Sequence, residues 1–101
     1  MKAIWTKLAL ESEDRIVEYL KVMWTDEVLA GYLDKIEQII ISLEQDPYMG
    51  TVLEINSMYR KILITKHTYL IYRVDEELQQ LVLMLFWPTS QDPEKLKMIF
   101  T

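Results

Sequence analysis

The chain has 101 residues, 50% of them hydrophobic and 27% charged, with a formal net charge of −5; this suits one α+β domain over residues 1–101 and argues against a general phosphate-coating protein. It has no cysteine, which excludes disulfides, thiolate metal ligands and thiol nucleophiles and fits a reducing compartment. No stretch is long and apolar enough to span a bilayer, and the first residues lack a signal-peptide apolar region, so no membrane association and a cytoplasmic location are expected.

Lys2–Thr6 is short and rich in β formers and reads as a first strand. Thr6 then caps a helix whose apolar positions Ile16, Tyr19, Leu20 and Met23 follow helical spacing. Trp24 ends it, and Thr25 or Asp26 caps the next. The second helix carries a continuous stripe of Leu29, Tyr32, Leu33, Ile36, Ile39, Ile40 and Leu43, with Asp26 and Glu27 in its first turn where the helix dipole favours them. The short connection makes the two helices an antiparallel hairpin. Asp46-Pro47 stops the second helix, and Pro47-Tyr48-Met49-Gly50 forms a turn.

After that turn the period changes from helix to strand. Thr51–Ile55 is a short candidate strand. Tyr59–Lys66 and Tyr69–Val74 are strands joined at His67-Thr68, and Asp75-Glu76-Glu77 makes the next turn. Leu81–Trp87 is apolar on both sides, as expected of a central strand covered above and below. Asp92 and Pro93 start a last short helix, whose Leu96, Ile99 and Phe100 are placed to cover the second face of that strand. The expected architecture is an N-terminal strand and a helical hairpin packed on an antiparallel sheet, closed by the C-terminal helix.

Charge is divided unevenly. Residues 1–57 carry eleven acids and five bases, residues 58–101 five acids and six bases. Arg60, Lys61, Lys66 and Arg73 fall within 58–74, a stretch without a single acid. A local basic patch can steer an anionic partner even on an acidic protein. The lone histidine, His67, excludes a His-based metal cage within one chain, and no phosphate-cradling Gly-rich loop or serine triad is present. No metal and no cofactor are expected.

A two-residue His67-Thr68 loop would set Lys66 opposite Tyr69, Ile64 opposite Ile71 and Ile62 opposite Arg73. One face would then carry Arg60, Ile62, Ile64, Lys66, Tyr69, Ile71 and Arg73. The other would carry Lys61, Leu63, Thr65, Leu70, Tyr72 and Val74, and would turn to the helices. On the first face Arg60 and Arg73 could clamp phosphates, Tyr69 could stack and His67 could shuttle protons. The alternative is that its aliphatics receive the C-terminal helix and the cations merely rim it. A one-residue change in loop length would exchange the faces.

The order strand, helix, helix, Pro-x-x-Gly turn, three strands and Pro-Glu-Lys segment resembles the RelE/ParE superfamily of bacterial type II toxin–antitoxin toxins, the plasmid-stabilisation type. The resemblance runs through Trp5-Thr6-Lys7-Leu8-Ala9, Leu33-Asp34-Lys35-Ile36, Pro47-Tyr48-Met49-Gly50, Arg60-Lys61-Ile62-Leu63-Ile64, Tyr69–Asp75 and Asp92-Pro93-Glu94-Lys95-Leu96. It implies a toxin neutralised by a cognate antitoxin. RelE-like members cut ribosome-bound mRNA with basic sheet residues and often a C-terminal tyrosine; ParE-like members inhibit DNA gyrase. Here Pro88-Thr89-Ser90-Gln91 lacks the arginine that many relatives carry, and no tyrosine or histidine follows Tyr72.

Three readings result. The first is a non-enzymatic toxin that grips a macromolecular target of the gyrase type, with Arg60, Lys61, Lys66, Tyr69 and Arg73 as its binding face. The second is a ribosome-dependent endoribonuclease using Arg60, Lys66, His67 and Arg73. The third is a member that has lost toxicity and only binds a partner. The sequence leaves a homodimer open.

Overall fold

The computed structural model describes residues 1–100; of the domain expected over 1–101, Thr101 lies outside the described residues. Strand β1 (Lys2–Trp5) leads into helices α1 (Lys7–Met23) and α2 (Asp26–Gln45). Strands β2 (Thr51–Val52), β3 (Arg60–Thr65), β4 (Thr68–Asp75) and β5 (Gln80–Pro88) follow. A 3-10 turn (Pro93–Leu96) and α3 (Lys97–Phe100) close the chain. This is the α+β arrangement expected, with one departure: β1 pairs parallel to β5, so the sheet, ordered β1-β5-β4-β3-β2, is mixed. No helix among the described residues is long and apolar enough to cross a membrane.

The helix caps are local chemistry. Thr6 and Thr25 each accept from the amide of the third residue of their helix, Ala9 and Val28, as hydroxyl caps do. Thr6 also donates to the Leu83 carbonyl at 2.8 Å, tying the cap to the central strand. Beyond Trp5, β1 no longer pairs with β5. There the buried Ser12 Oγ, on α1, accepts from the Phe86 amide at 3.0 Å and donates to the Ala9 carbonyl. An unpaired buried amide would be costly, so Ser12 completes what the short strand leaves open.

Helices cover one sheet face. Leu20, Tyr32, Ile36, Ile40 and Leu43 meet Ile64, Leu70, Tyr72, Leu81, Leu83 and Phe86 there. On the other face Leu53, Ile71 and Leu85 receive Leu96 and Phe100 from the C-terminal turn and α3, while Ile99 stays exposed. The central strand is therefore buried on both sides, as its unbroken apolar run requires. Its alternation is interrupted at Met84: Ile71 pairs with Leu85 but Tyr72 with Leu83. The extra residue switches parity, so Leu81, Leu83 and then Phe86 face the helices.

The turn after α2 is clasped to the sheet. Tyr72 Oη accepts the Gly50 amide at 2.9 Å and donates to the Pro47 carbonyl at 2.8 Å. A Cβ on Gly50 would lie 2.5 Å from that oxygen and 2.9 Å from the Lys61 carbonyl, so only glycine admits this approach. Gly50→Ala is expected to destabilise by about 2–3 kcal/mol in urea unfolding. Tyr72→Phe, which leaves a buried amide and carbonyl short of partners, should cost about 1–3 kcal/mol at neutral pH. Burial pushes the Tyr72 phenol above its ordinary 10.0, the Gly50 hydrogen bond and Arg60 partly opposing; burial likewise raises Tyr32. The unfolded chain gives up these protons first, so their contribution is complete below pH 10 and fades as pH rises through the folded values. The alkaline fall in stability, followed by denaturant midpoint against pH, should be shallower in Tyr72→Phe.

Candidate functional site

The register of the β3–β4 hairpin decides which side chains meet. The turn is Lys66-His67, with Thr65 opposite Thr68, not the His67-Thr68 loop expected. Ile64 is an extra residue in β3, and below it Leu63 pairs with Tyr69, Ile62 with Leu70, Lys61 with Ile71 and Arg60 with Tyr72. The offset is odd, so the two faces of β3 exchange relative to the sequence expectation. Ile62, Ile64, Leu70, Tyr72 and Val74 turn to the helices, whereas Lys61 and Leu63 do not.

Arg60 consequently lies on the face opposite Lys61, Tyr69 and Arg73. Its Nη1 donates to the Gly50 carbonyl at 2.8 Å and to the Tyr48 carbonyl at 3.2 Å, and its guanidinium sits 5.1 Å from the Tyr48 ring centroid. It is engaged in holding the Pro47–Gly50 turn. The expected clamp of Arg60 with Arg73 on one surface is not formed. Arg73 pairs instead with Asp75 at 3.7 Å, and both are partly buried.

Lys66 and His67 are exposed at the hairpin tip. Thr89 fastens that tip, donating from Oγ1 to the Lys66 carbonyl at 2.8 Å and from its amide to the His67 carbonyl at 2.9 Å. The His67 ring meets the edge of Trp24 at 5.9 Å, beside the C-terminal half of α1. His67, in the turn just before β4, and Arg73 within β4 are six residues apart in extended chain, so their Cα atoms are separated by about 20 Å. That span is too long for both to act on one phosphodiester.

What the open face does assemble is a row of cation, phenol and indole. Lys61 Nζ lies 4.9 Å from the Tyr69 ring centroid, and Tyr69 is directly opposite Trp87 on β5. These three line a groove of about 420 Å³ with Leu53, Gln91 and Leu96. Lys61 has no ion-pair partner among the described residues. The Trp87 indole N–H is buried without a hydrogen-bond partner. Trp87, Leu53 and Gln91 were not among the sequence candidates; a correct register, with Trp87 facing Tyr69, is the signal that finds Trp87. Such a groove offers aromatic and aliphatic contact area with one cation at its edge, the character of a protein-binding hot spot. Among the described residues no group of three or more His, Asp or Glu is placed to hold a metal ion.

The family model described as "ParE toxin of type II toxin-antitoxin system, parDE" matches residues 3–93. Among solved structures, a "YoeB/ParE toxin from Agrobacterium tumefaciens" is similar, with a TM-score of 0.63 at 24% identity, over 85% of this chain and 95% of that chain. At that identity the likeness is one of fold. A comparison with curated proteins finds no match.

The geometry separates two neighbouring cations by role. Arg60→Ala is expected to lower unfolding free energy by about 1–2 kcal/mol, since the Tyr48 and Gly50 carbonyls lose a charged donor. Lys61→Ala should change it by less than about 0.5 kcal/mol, because Lys61 has no ion-pair partner among the described residues. Urea denaturation of the two variants side by side measures the difference.

Proposed function

The chain belongs to the ParE toxin family of type II toxin–antitoxin systems, and from that premise we propose that it arrests growth by holding a protein target of the gyrase type rather than by cutting RNA. Membership implies an antitoxin partner, and the site of action proposed is the cytoplasm. The observation that carries the reading is the dispersal of the nuclease candidates. Arg60 is engaged on the helix side of the sheet, Arg73 pairs with Asp75 on the other, and His67 rests against Trp24 at the hairpin tip. Metal-free RNA cleavage needs a base, an acid and phosphate-binding cations around one reacting phosphate. These groups do not converge. The Lys61–Tyr69–Trp87 row, in contrast, suits stoichiometric grip. Desolvated aromatic anchors beside a single cation supply affinity without any proton transfer.

The binding face proposed is therefore Lys61, Tyr69 and Trp87, with Arg73 further along β4. Lys66 stands at the hairpin tip, outside the groove lining, and Arg60 is assigned a structural role. Induced expression in a bacterial host is expected to stop growth, leave message 5′ ends unchanged and switch on an SOS reporter. Lys61→Ala combined with Tyr69→Ala should reduce killing at least about tenfold while the protein remains folded, in line with loss of a hot spot. New 5′ ends within ribosome-occupied codons would instead establish a nuclease. Undisturbed growth at high expression would leave only a partner-binding role.

A further inference from the structure

At the tip of the β3–β4 hairpin three parts of the chain meet around a second cleft, of about 650 Å³. The C-terminal half of α1 and its cap line it with Arg15, Tyr19 and Trp24, the hairpin tip with His67, and the segment after β5 with Ser90 and Gln91. Arg15 and Tyr19 are four residues apart, on one side of the helix. The walls are fastened to one another. Thr89 holds the Lys66 and His67 carbonyls, the Gln91 amide donates to the Pro88 carbonyl at 3.1 Å, and the His67 ring rests on Trp24. Among the described residues the lining has one permanently charged side chain, Arg15, and no carboxylate. Glu11 and Glu18, one turn to either side of Arg15, pair with Lys7 at 3.8 Å and Lys21 at 3.1 Å. Arg15 itself makes only a long bond, 3.4 Å, from Nε to the Glu11 carbonyl, so its Nη groups have no partner among the described residues.

We propose that this cleft binds a free purine mononucleotide, its base stacked among Tyr19, Trp24 and His67 and its phosphate held by Arg15. A guanidinium with its Nη groups unengaged presents a planar fork that matches phosphate oxygens. Aromatic side chains give a base a stacking platform that needs no particular sequence around it. The Ser90 hydroxyl and the Gln91 amide have no hydrogen-bond partner among the described residues, and together they offer donors and acceptors to a base edge. From Arg15 to Trp24 is nine residues of helix, about 13 Å, so the phosphate and the base have separate ends of the cleft. The volume falls within the range of about 300–1,000 Å³ typical of small-molecule sites, and a cation without a facing carboxylate favours an anion. Thr89 and Gln91 line both this cleft and the Lys61–Tyr69–Trp87 groove and form a wall common to the two. The proposal does not depend on the identity of the toxin's target.

Titration calorimetry on the intact protein tests it with three probes: adenosine 5′-monophosphate, adenosine, and a hexaadenylate RNA. The monophosphate should bind about tenfold more tightly than adenosine, the difference being the charged contact with Arg15. Amide shifts on adding it should fall at Tyr19, Trp24, His67 and Ser90. Arg15→Gln should bring the monophosphate down to the level of adenosine and leave adenosine unchanged. Tyr19→Ala should weaken both about tenfold, as loss of a stacking ring does; Tyr19 is 65% exposed, so this variant keeps the fold. Lys35→Gln, an equal change of net charge on exposed α2 surface, should alter neither. Absence of monophosphate binding by the folded protein would overturn the proposal, as would an equal effect of Arg15→Gln on both small probes or shifts confined to the Lys61–Trp87 groove. Tighter binding of the hexaadenylate than of the monophosphate would also overturn it, in favour of an RNA strand. None of these readouts uses toxicity, so failure here is distinguishable from failure of the gyrase-type reading.

Discussion

The architecture depends on how one four-residue turn is fastened. Pro47–Gly50 is where the helical hairpin hands the chain to the sheet, and its Tyr48 and Met49 side chains stay about half exposed. Tyr72 takes the Pro47 carbonyl and the Gly50 amide, while Arg60 takes the Tyr48 and Gly50 carbonyls. Each such bond is worth about 1 kcal/mol net, more where a guanidinium donates, yet leaving the groups unmade would cost the full desolvation of buried backbone. Because Tyr72 lies in the central pairing of β4 with β5 and β3, this fastening fixes where α2 ends relative to the whole sheet.

That structural duty reshapes the functional surface. A guanidinium holding two carbonyls on the helix side is not available to a ligand on the other. The cations of residues 58–74 are thus divided: Arg60 serves the fold, Arg73 leans on Asp75, Lys66 stands at a tip, and Lys61 alone borders the aromatic groove. The molecule is two-sided, with acidic helices on one side and a groove edged by Lys61 on the other. The two surfaces are opposite in charge character, and electrostatic complementarity is a means of keeping partners apart.

The C-terminal segment shows how the open face divides. Ile71 and Leu85 on that face are covered by Leu96 and Phe100, with the Phe100 ring 4.6 Å from Tyr59 and its carbonyl accepting from Asn56 Nδ2 at 2.8 Å. Of the aliphatics expected on that face, Ile71 receives the C-terminal helix, whereas Ile62 and Ile64 turn to the α1–α2 side. Yet Lys61, Tyr69 and Trp87 remain beside the segment and line a groove with it. The two readings of the hairpin each describe part of one surface.

Element order, helix caps and the doubly buried character of Leu81–Trp87 were legible in the chain, because each rests on local signals: hydroxyl caps, periodic apolar stripes, an Asp-Pro stop, an unbroken apolar run. The parallel pairing of β1 was not, since no local feature reports which strand edge a distant segment will join. The site was only partly legible for a sharper reason. Side-chain direction in a strand has period two, so each added or removed residue reverses it. Turn position moved from His67-Thr68 to Lys66-His67, and Ile64 and Met84 were added as bulges. Sequence established that cations and aromatics gather between residues 58 and 74. Which of them share a surface was set by cross-strand hydrogen bonding and by packing against α2, interactions that exist only once the chain has folded.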